Sequence, residues 1–368
     1  MATKMIYIRF ATIPLFNLLL CAVVFAAPGK PIITGTFSDG ESVSISVSSP
    51  GEKSTAAPTL WDTFEGGTTG NQIQAQSAII GAWETGSGSD RVTYSETSPH
   101  AGSKSAVHSW DGAHWDANLC LNETAIDTLY IDFWMTIPDW GSSHNSGNFK
   151  PWRIWGESDT MDIHAGAGCS TGTPYAVLSV TDSNCGLNEI PSWAPTYPDR
   201  NTYHFQIIIK ASDGATADGI VQQYVNHTLY GDSSQQTRCS TSRHLSQIRI
   251  GHYNNTGSRD GCTIDSAVYA YTDNVYIDYS LARVEIGNNS TYGDCTHREI
   301  QIPSAWSNGT PGSITATVNT GSFEIGNTVY LFVVDANNEI SPASDPIIIS
   351  EASTAPRYQG VTFRGMGQ

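Results

Sequence analysis

Hydrophobic and polar residues alternate with a period of two along most of this chain, and short runs of that kind predict β-strands. The stretch Gln247-Ile248-Arg249-Ile250-Gly251-His252-Tyr253 sends Ile248 and Ile250 to one side and Gln247, Arg249 and Tyr253 to the other. The run 130–137 puts Ile131, Phe133, Met135 and Ile137 opposite Tyr130, Asp132, Trp134 and Thr136. Trp152 and Ile154 oppose Arg153 and Trp155, while Met161 and Ile163 oppose Asp162 and His164. Tyr203, Phe205, Ile207 and Ile209 share one side of a further run, and 221–226 and 269–279 alternate as well. Many short strands between Gly-rich turns predict an all-β chain of the sandwich or jelly-roll type.

The pattern also divides the chain. Residues 1–26 combine Lys4 and Arg9, an apolar run from Ala11 to Phe25 and a small-residue site at Val24-Phe25-Ala26, as a secretory signal does. The run is short of the ~20 apolar residues of a membrane span, so a secreted or cell-surface protein is expected. Strands at 30–48 precede a Ser/Pro/Gly-rich link, and 27–58 is taken as one segment. Residues 59–283 hold the long series of strands. Residues 284–350 carry three more, too few for a sandwich by themselves unless the strands of 27–58 join them. The expectation is a jelly roll inserted into a smaller immunoglobulin-like β-sandwich built from both chain ends, with a loose tail at 351–368.

Charge narrows the partners. Lys plus Arg number 18 against 35 Asp plus Glu, a net charge of −17 over 368 residues, which argues against nucleic acid. Of seven cysteines, Cys21 leaves with the signal. The remaining even set suggests disulfides, with Cys169–Cys185 and Cys239–Cys262 as local pairs and Cys120–Cys295 left over.

Four segments, Trp61-Asp62-Thr63-Phe64-Glu65, Tyr203-His204-Phe205-Gln206, Val225-Asn226 and Asp273-Asn274-Val275-Tyr276-Ile277-Asp278, resemble the concanavalin A-like jelly-roll superfamily. That superfamily includes lectins, glucanases and polysaccharide lyases. Leu331-Phe332-Val333-Val334-Asp335-Ala336-Asn337 resembles the end of TIG-type immunoglobulin folds. The first resemblance implies a polysaccharide or glycan bound across an open sheet, with Asp132, Trp134, Trp155, Asp162 and Gln247 as carbohydrate-binding residues. For a lyase it implies Arg153 or Arg249 on the uronate carboxylate, His164 or His252 as base and Tyr253 as acid, or Tyr253 as both base and acid, with His164 and Tyr253 the better pair. The family patterns Arg-x-Glu-Leu and Gln-x-His are absent, and His164 sits in Asp-Ile-His instead. Asp62, Glu65 and Asp278, on the first and last strands, are candidate ligands for a structural Ca²⁺, with solvated turn carboxylates as the slightly favoured alternative. Three functions are in play: carbohydrate binding as the main reading, polysaccharide lysis as the alternative, and a structural or adhesive surface role. Glycoside hydrolysis ranks below lysis, because the glucanase pattern Glu-x-Asp-x-x-Glu is missing.

Overall fold

The structure, a computed structural model, describes residues 26–110, 116–137, 149–156, 161–170, 173–183, 186–193, 201–230, 234–251 and 268–351. The expected signal at 1–26 falls almost wholly outside them, as do the tail beyond 351, His252 and Tyr253. Among the described residues no helix is long and apolar enough to cross a membrane.

The chain is nearly all β, with curled antiparallel sheets in a jelly-roll sandwich. In the large module a six-stranded sheet faces a nine-stranded one. The six-stranded sheet takes, side by side, Leu187–Trp193, Thr173–Asp182, Met161–Ser170, Phe149–Gly156, Leu245–Ile250 and Leu119–Ile126. The centre of the other runs Gly219–Val225, Thr202–Lys210, Thr128–Thr136 and Val268–Asp278. Every second residue of these strands meets in a common core. Trp152, Ile154, Ile163, Ile248 and Ile250 come from one sheet, and Ile131, Phe133, Phe205, Ile207 and Ile277 from the other. Each such side chain contributes ~1.5–3 kcal/mol when fully buried. Within this core Trp152 Nε1 donates to Gln223 Oε1 at 2.6 Å, which satisfies a donor that would otherwise be stranded in an apolar layer.

A seven-stranded sheet forms the small module. Ser42–Val47, from the N-terminal side, pairs along its whole length with Gly312–Thr317, from the C-terminal side. Arg298–Ser307 turns between two layers: its first half pairs with Arg283–Gly287 and its second with Gly312–Thr317. Val43, Ile45, Val284, Ile286, Ile314, Leu331 and Val333 fill the space enclosed.

The small module covers the outer face of the nine-stranded sheet. Trp61, Tyr130, Ile208 and Tyr276 pack there against Leu281, Ile300 and Ile302. Around this patch runs a buried polar network. Tyr130 and Gln206 both donate to Asp132, and His204 Nε2 binds the same carboxylate at 2.9 Å. Arg298 donates to Gln206 Oε1 at 2.6 Å and to Glu285 at 3.0 Å, and Glu285 also takes Arg283 and Tyr292. Burial would raise the Glu285 carboxyl, but Arg283 and Arg298 outweigh it and pull it down to about 2. Lys53, on the link between the modules, ion-pairs with Asp278 in the same layer.

The cysteines differ from expectation in one respect. Cys120 and Cys295 are both free, because one lies on an outer strand of the six-stranded sheet and the other in the small module. Cys239 is disulfide-bonded. Cys185 and Cys262 lie outside the described residues, and with them the two local pairings.

Candidate functional site on the outer face of the six-stranded sheet

Antiparallel register lines up two rows of side chains across the outer face of the six-stranded sheet. In one row Asn122, Gln247, Trp155, Asp162 and Thr181 are neighbours on five successive strands. In the next, Cys120, Arg249, Arg153, His164 and Ser179 are neighbours. Period-two alternation brings Arg153, Trp155, Asp162, His164, Gln247 and Arg249 together because their partners Ile154, Ile163 and Ile248 are held in the core.

Between the two rows the ionic contacts are specific. Arg153 donates twice to Asp162, from Nε at 3.0 Å and Nη2 at 2.8 Å, the planar fork that guanidinium and carboxylate make best. His164 Nδ1 lies 3.1 Å from Asp162 Oδ2. Burial alone would raise the Asp162 carboxyl; His164 and Arg153 outweigh it and hold it well below the usual carboxylate range. Burial lowers His164, nearby Lys150 and Arg153 lower it further, and Asp162 only partly opposes them. An ionised Asp162 accepts from Nδ1–H, so the imidazole lone pair sits on Nε2.

Arg249 has no carboxylate partner among the described residues. Its Nη2 donates to Gln247 Oε1 at 3.1 Å and its Nη1 to Asn118 Oδ1 at 3.4 Å, both neutral amides. The guanidinium carbons of Arg153 and Arg249 lie 4.1 and 5.8 Å from the Trp155 ring centre. Segment 84–89 rims this end: Glu84 accepts from Asn122, and Gly86 lies so close that a Cβ there would meet Arg249 Nη1 at 2.0 Å and Cys120 Sγ at 2.8 Å. Lys150 and Arg153 both act on His164, and Arg249 lies on the strand beside Arg153.

Two residues expected on this face stand elsewhere. Asp132 and Trp134 do point outward, but from the nine-stranded sheet, under the small module. Asp132 is engaged by Tyr130, His204 and Gln206, and Trp134 is stacked between His100 and His204 at 3.6 and 4.4 Å. The carboxylates expected to hold Ca²⁺ do not converge. Asp62 shares the core side of its strand pair with Ile277, while Asp278 points to the opposite side with Tyr276. Asp62 accepts from Phe64 N and Trp83 Nε1, and burial pushes its carboxyl up to about 6. Glu65 caps the backbone of Ser103 and Lys104, and Asp278 takes Lys53. Alternation on 119–126 and 149–156 was the signal that could have added Cys120, Asn122 and Lys150 to the site; a bulge between Phe149 and Trp152 obscures it for Lys150.

No family model matches the sequence, and no curated protein does. Among solved structures the chain is similar to a mutant of the alginate lyase Aly36B in complex with alginate tetrasaccharide, at 15% identity and TM-score 0.46, over 61% of this chain and 98% of that one. It is similar to the marine PL-14 alginate lyase from Aplysia kurodai at 13% identity and TM-score 0.41, over 52% and 87% of the two chains. It is also similar to the endo-β-1,4-glucuronan lyase of the fungus Trichoderma reesei at 12% identity and TM-score 0.39, over 51% and 86%. A likeness of this size carries no argument about what the chain does.

Proposed function

We propose that the outer face of the six-stranded sheet binds an acidic polysaccharide and cleaves it by β-elimination. The observation that carries the reading is the pairing of a histidine oriented by a carboxylate with a neighbouring guanidinium that has no carboxylate partner among the described residues. In this reading a uronate carboxylate takes the position beside Arg249, whose present partners are neutral amides. Charge neutralisation acidifies the proton on C5 of the sugar. His164 Nε2 removes that proton, and the electron pair forms the C4–C5 double bond. The C4–O glycosidic bond breaks, and its oxygen takes a proton from an acid. Tyr253, beyond the described residues, is our candidate for that acid. Arg153 fixes Asp162, and Asp162 fixes the tautomer of His164. The lowered basicity of His164 keeps its imidazole neutral, and so able to accept a proton, near neutral pH. The proposed location is the cell exterior or surface, where such polymers are found.

The test is incubation of the purified protein with alginate, glucuronan and ulvan, following ultraviolet absorbance of the unsaturated uronate. Absorbance growing with wild type and absent with His164→Ala supports the lyase. Binding of the same polymers without any unsaturated product would leave a carbohydrate-binding face and remove the catalytic step. A chain that neither binds nor cleaves any of them would favour the structural or adhesive role.

A further inference from the structure

Away from that face, at the junction of the two modules, three donor atoms converge. His100 Nε2 and His297 Nε2 each stand 2.7 Å from the same oxygen, Oε1 of Glu299. We propose that His100, His297 and Glu299 form a binding site for a divalent transition-metal ion of the zinc class, which ties the small module to the large one.

Charge gives the first argument. Glu299 is 2% exposed, and its ion-pair partners among the described residues are these two imidazoles alone. A carboxylate this deep needs compensating positive charge. The two imidazoles each place one ring nitrogen on the same carboxylate oxygen, and a divalent ion among the three would carry the compensating charge.

Geometry gives the second. The donor atoms lie within 4.8 Å of one another. An ion with bonds of ~2.0–2.2 Å in a tetrahedral site holds its donors roughly 3.4 Å apart, so the two imidazoles would draw back from Glu299 Oε1 to admit it. The side chains are already held for the purpose. His100 is clamped flat on Trp134 at 3.6 Å, and its backbone N–H, with that of Ala101, donates to Asp273. His297 lies flat on Phe323 at 4.0 Å. Gly321, at φ +53°, packs so close that a Cβ there would fall 2.1 Å from the Glu299 carboxyl carbon. Only glycine leaves the carboxylate its place.

Donor chemistry sets the ion. Two imidazole nitrogens and one carboxylate oxygen suit Zn²⁺, Co²⁺, Ni²⁺ or Fe²⁺ and not Ca²⁺, which wants six to eight oxygens. His297 and Glu299 are alternate residues entering one strand of the small module, and His100 comes from a loop of the large one. The ion would therefore cross the junction.

The experiment is titration of EDTA-treated full-length protein with Zn²⁺ by calorimetry and with Co²⁺ by visible absorbance and tryptophan fluorescence. One equivalent is expected to bind with ligand-field bands, with a rise in Tm and with quenching that is smaller in Trp134→Phe. His297→Gln, at the most exposed of the three positions, is expected to weaken binding at least tenfold, and His100→Ala with His297→Ala to remove the equivalent. Wild-type protein that takes up neither ion would overturn the proposal, whatever the variants do. Uptake undiminished in His297→Gln or in the folded double variant would overturn it too.

Discussion

Asp162–His164 and Asp132–His204 are the same pair of groups at nearly the same separation, 3.1 and 2.9 Å, on the outer faces of the two large sheets. What separates them is what lies above. The first pair keeps 12% and 16% of its side-chain surface open, and the second keeps 3% and 1% because the small module lies over it. The first is flanked by cations, one of which has no carboxylate partner among the described residues; the second is enclosed by Tyr130, Gln206 and the Arg298–Glu285 network. One arrangement leaves its imidazole partly open to solvent, and the other lies at the contact between the two modules. An aspartate–histidine pair therefore becomes a candidate catalyst only through its access and its neighbours.

The contrast can be broken most sharply by exchanging the loss. His164→Ala is expected to lower kcat/KM on a uronate polymer by ~10²–10⁴ while leaving the urea midpoint nearly unchanged. His204→Ala is expected to cost ~2–4 kcal/mol of stability, from a cavity and a partly unsatisfied Asp132, with the specific activity of the folded fraction kept. Equal effects of both on activity would erase the distinction. Next, Arg298→Met should destabilise by ~3–5 kcal/mol in urea unfolding, since Glu285 is then buried with too little positive charge. Arg249→Gln should lower kcat/KM by ~10²-fold through loss of carboxylate neutralisation, and the wild-type rate should fall more steeply with salt than the variant's.

The smallest effect is in pH. His164 titrates below its ordinary value, so the acid limb of kcat/KM should lie below pH ~6.5. Asp162 is the neighbour that raises His164, so Asp162→Asn should move that limb further to acid at a reduced maximum. The linkage to stability has a definite sign. The folded protein binds fewer protons at His164 than the unfolded chain does, so this group destabilises as pH falls through ~6.5 toward its lowered pKa. Asp162, also lowered, adds stability above ~3.9 that is lost as pH falls through its folded pKa. A limb that moves toward neutral in Asp162→Asn would contradict the role given to the pair.

Much of the six-stranded face was legible from alternation alone, because Ile154, Ile163, Ile248 and Ile250 leave their neighbours no other side. Asp132 and Trp134 mark where that reasoning runs out. Parity says that they leave the core; it does not say which sheet they leave from or what then covers them. The answer depends on strands more than a hundred residues away in sequence, such as Arg298–Ser307. Asp62 and Asp278 part company for a related reason. Proximity on paired strands was readable, but they occupy opposite sides of that pair. His297 and Glu299 show the expected spacing of two, yet His100, almost two hundred residues earlier, carries no sequence signal that ties it to them.

The pairing of Ser42–Val47 with Gly312–Thr317, reinforced by Lys30 donating to Asp345 at 2.6 Å, has a mechanical consequence. The lead-in and lead-out of the described chain are fastened to one another within the small module, and the jelly roll hangs from it as a closed loop. Tension applied at those two points would pass through the small module and bypass the jelly roll. Tension applied to the large module would load instead the buried Arg298–Glu285 layer between them. The small module is thus the clasp of the molecule, and the large one can be pulled without being unthreaded.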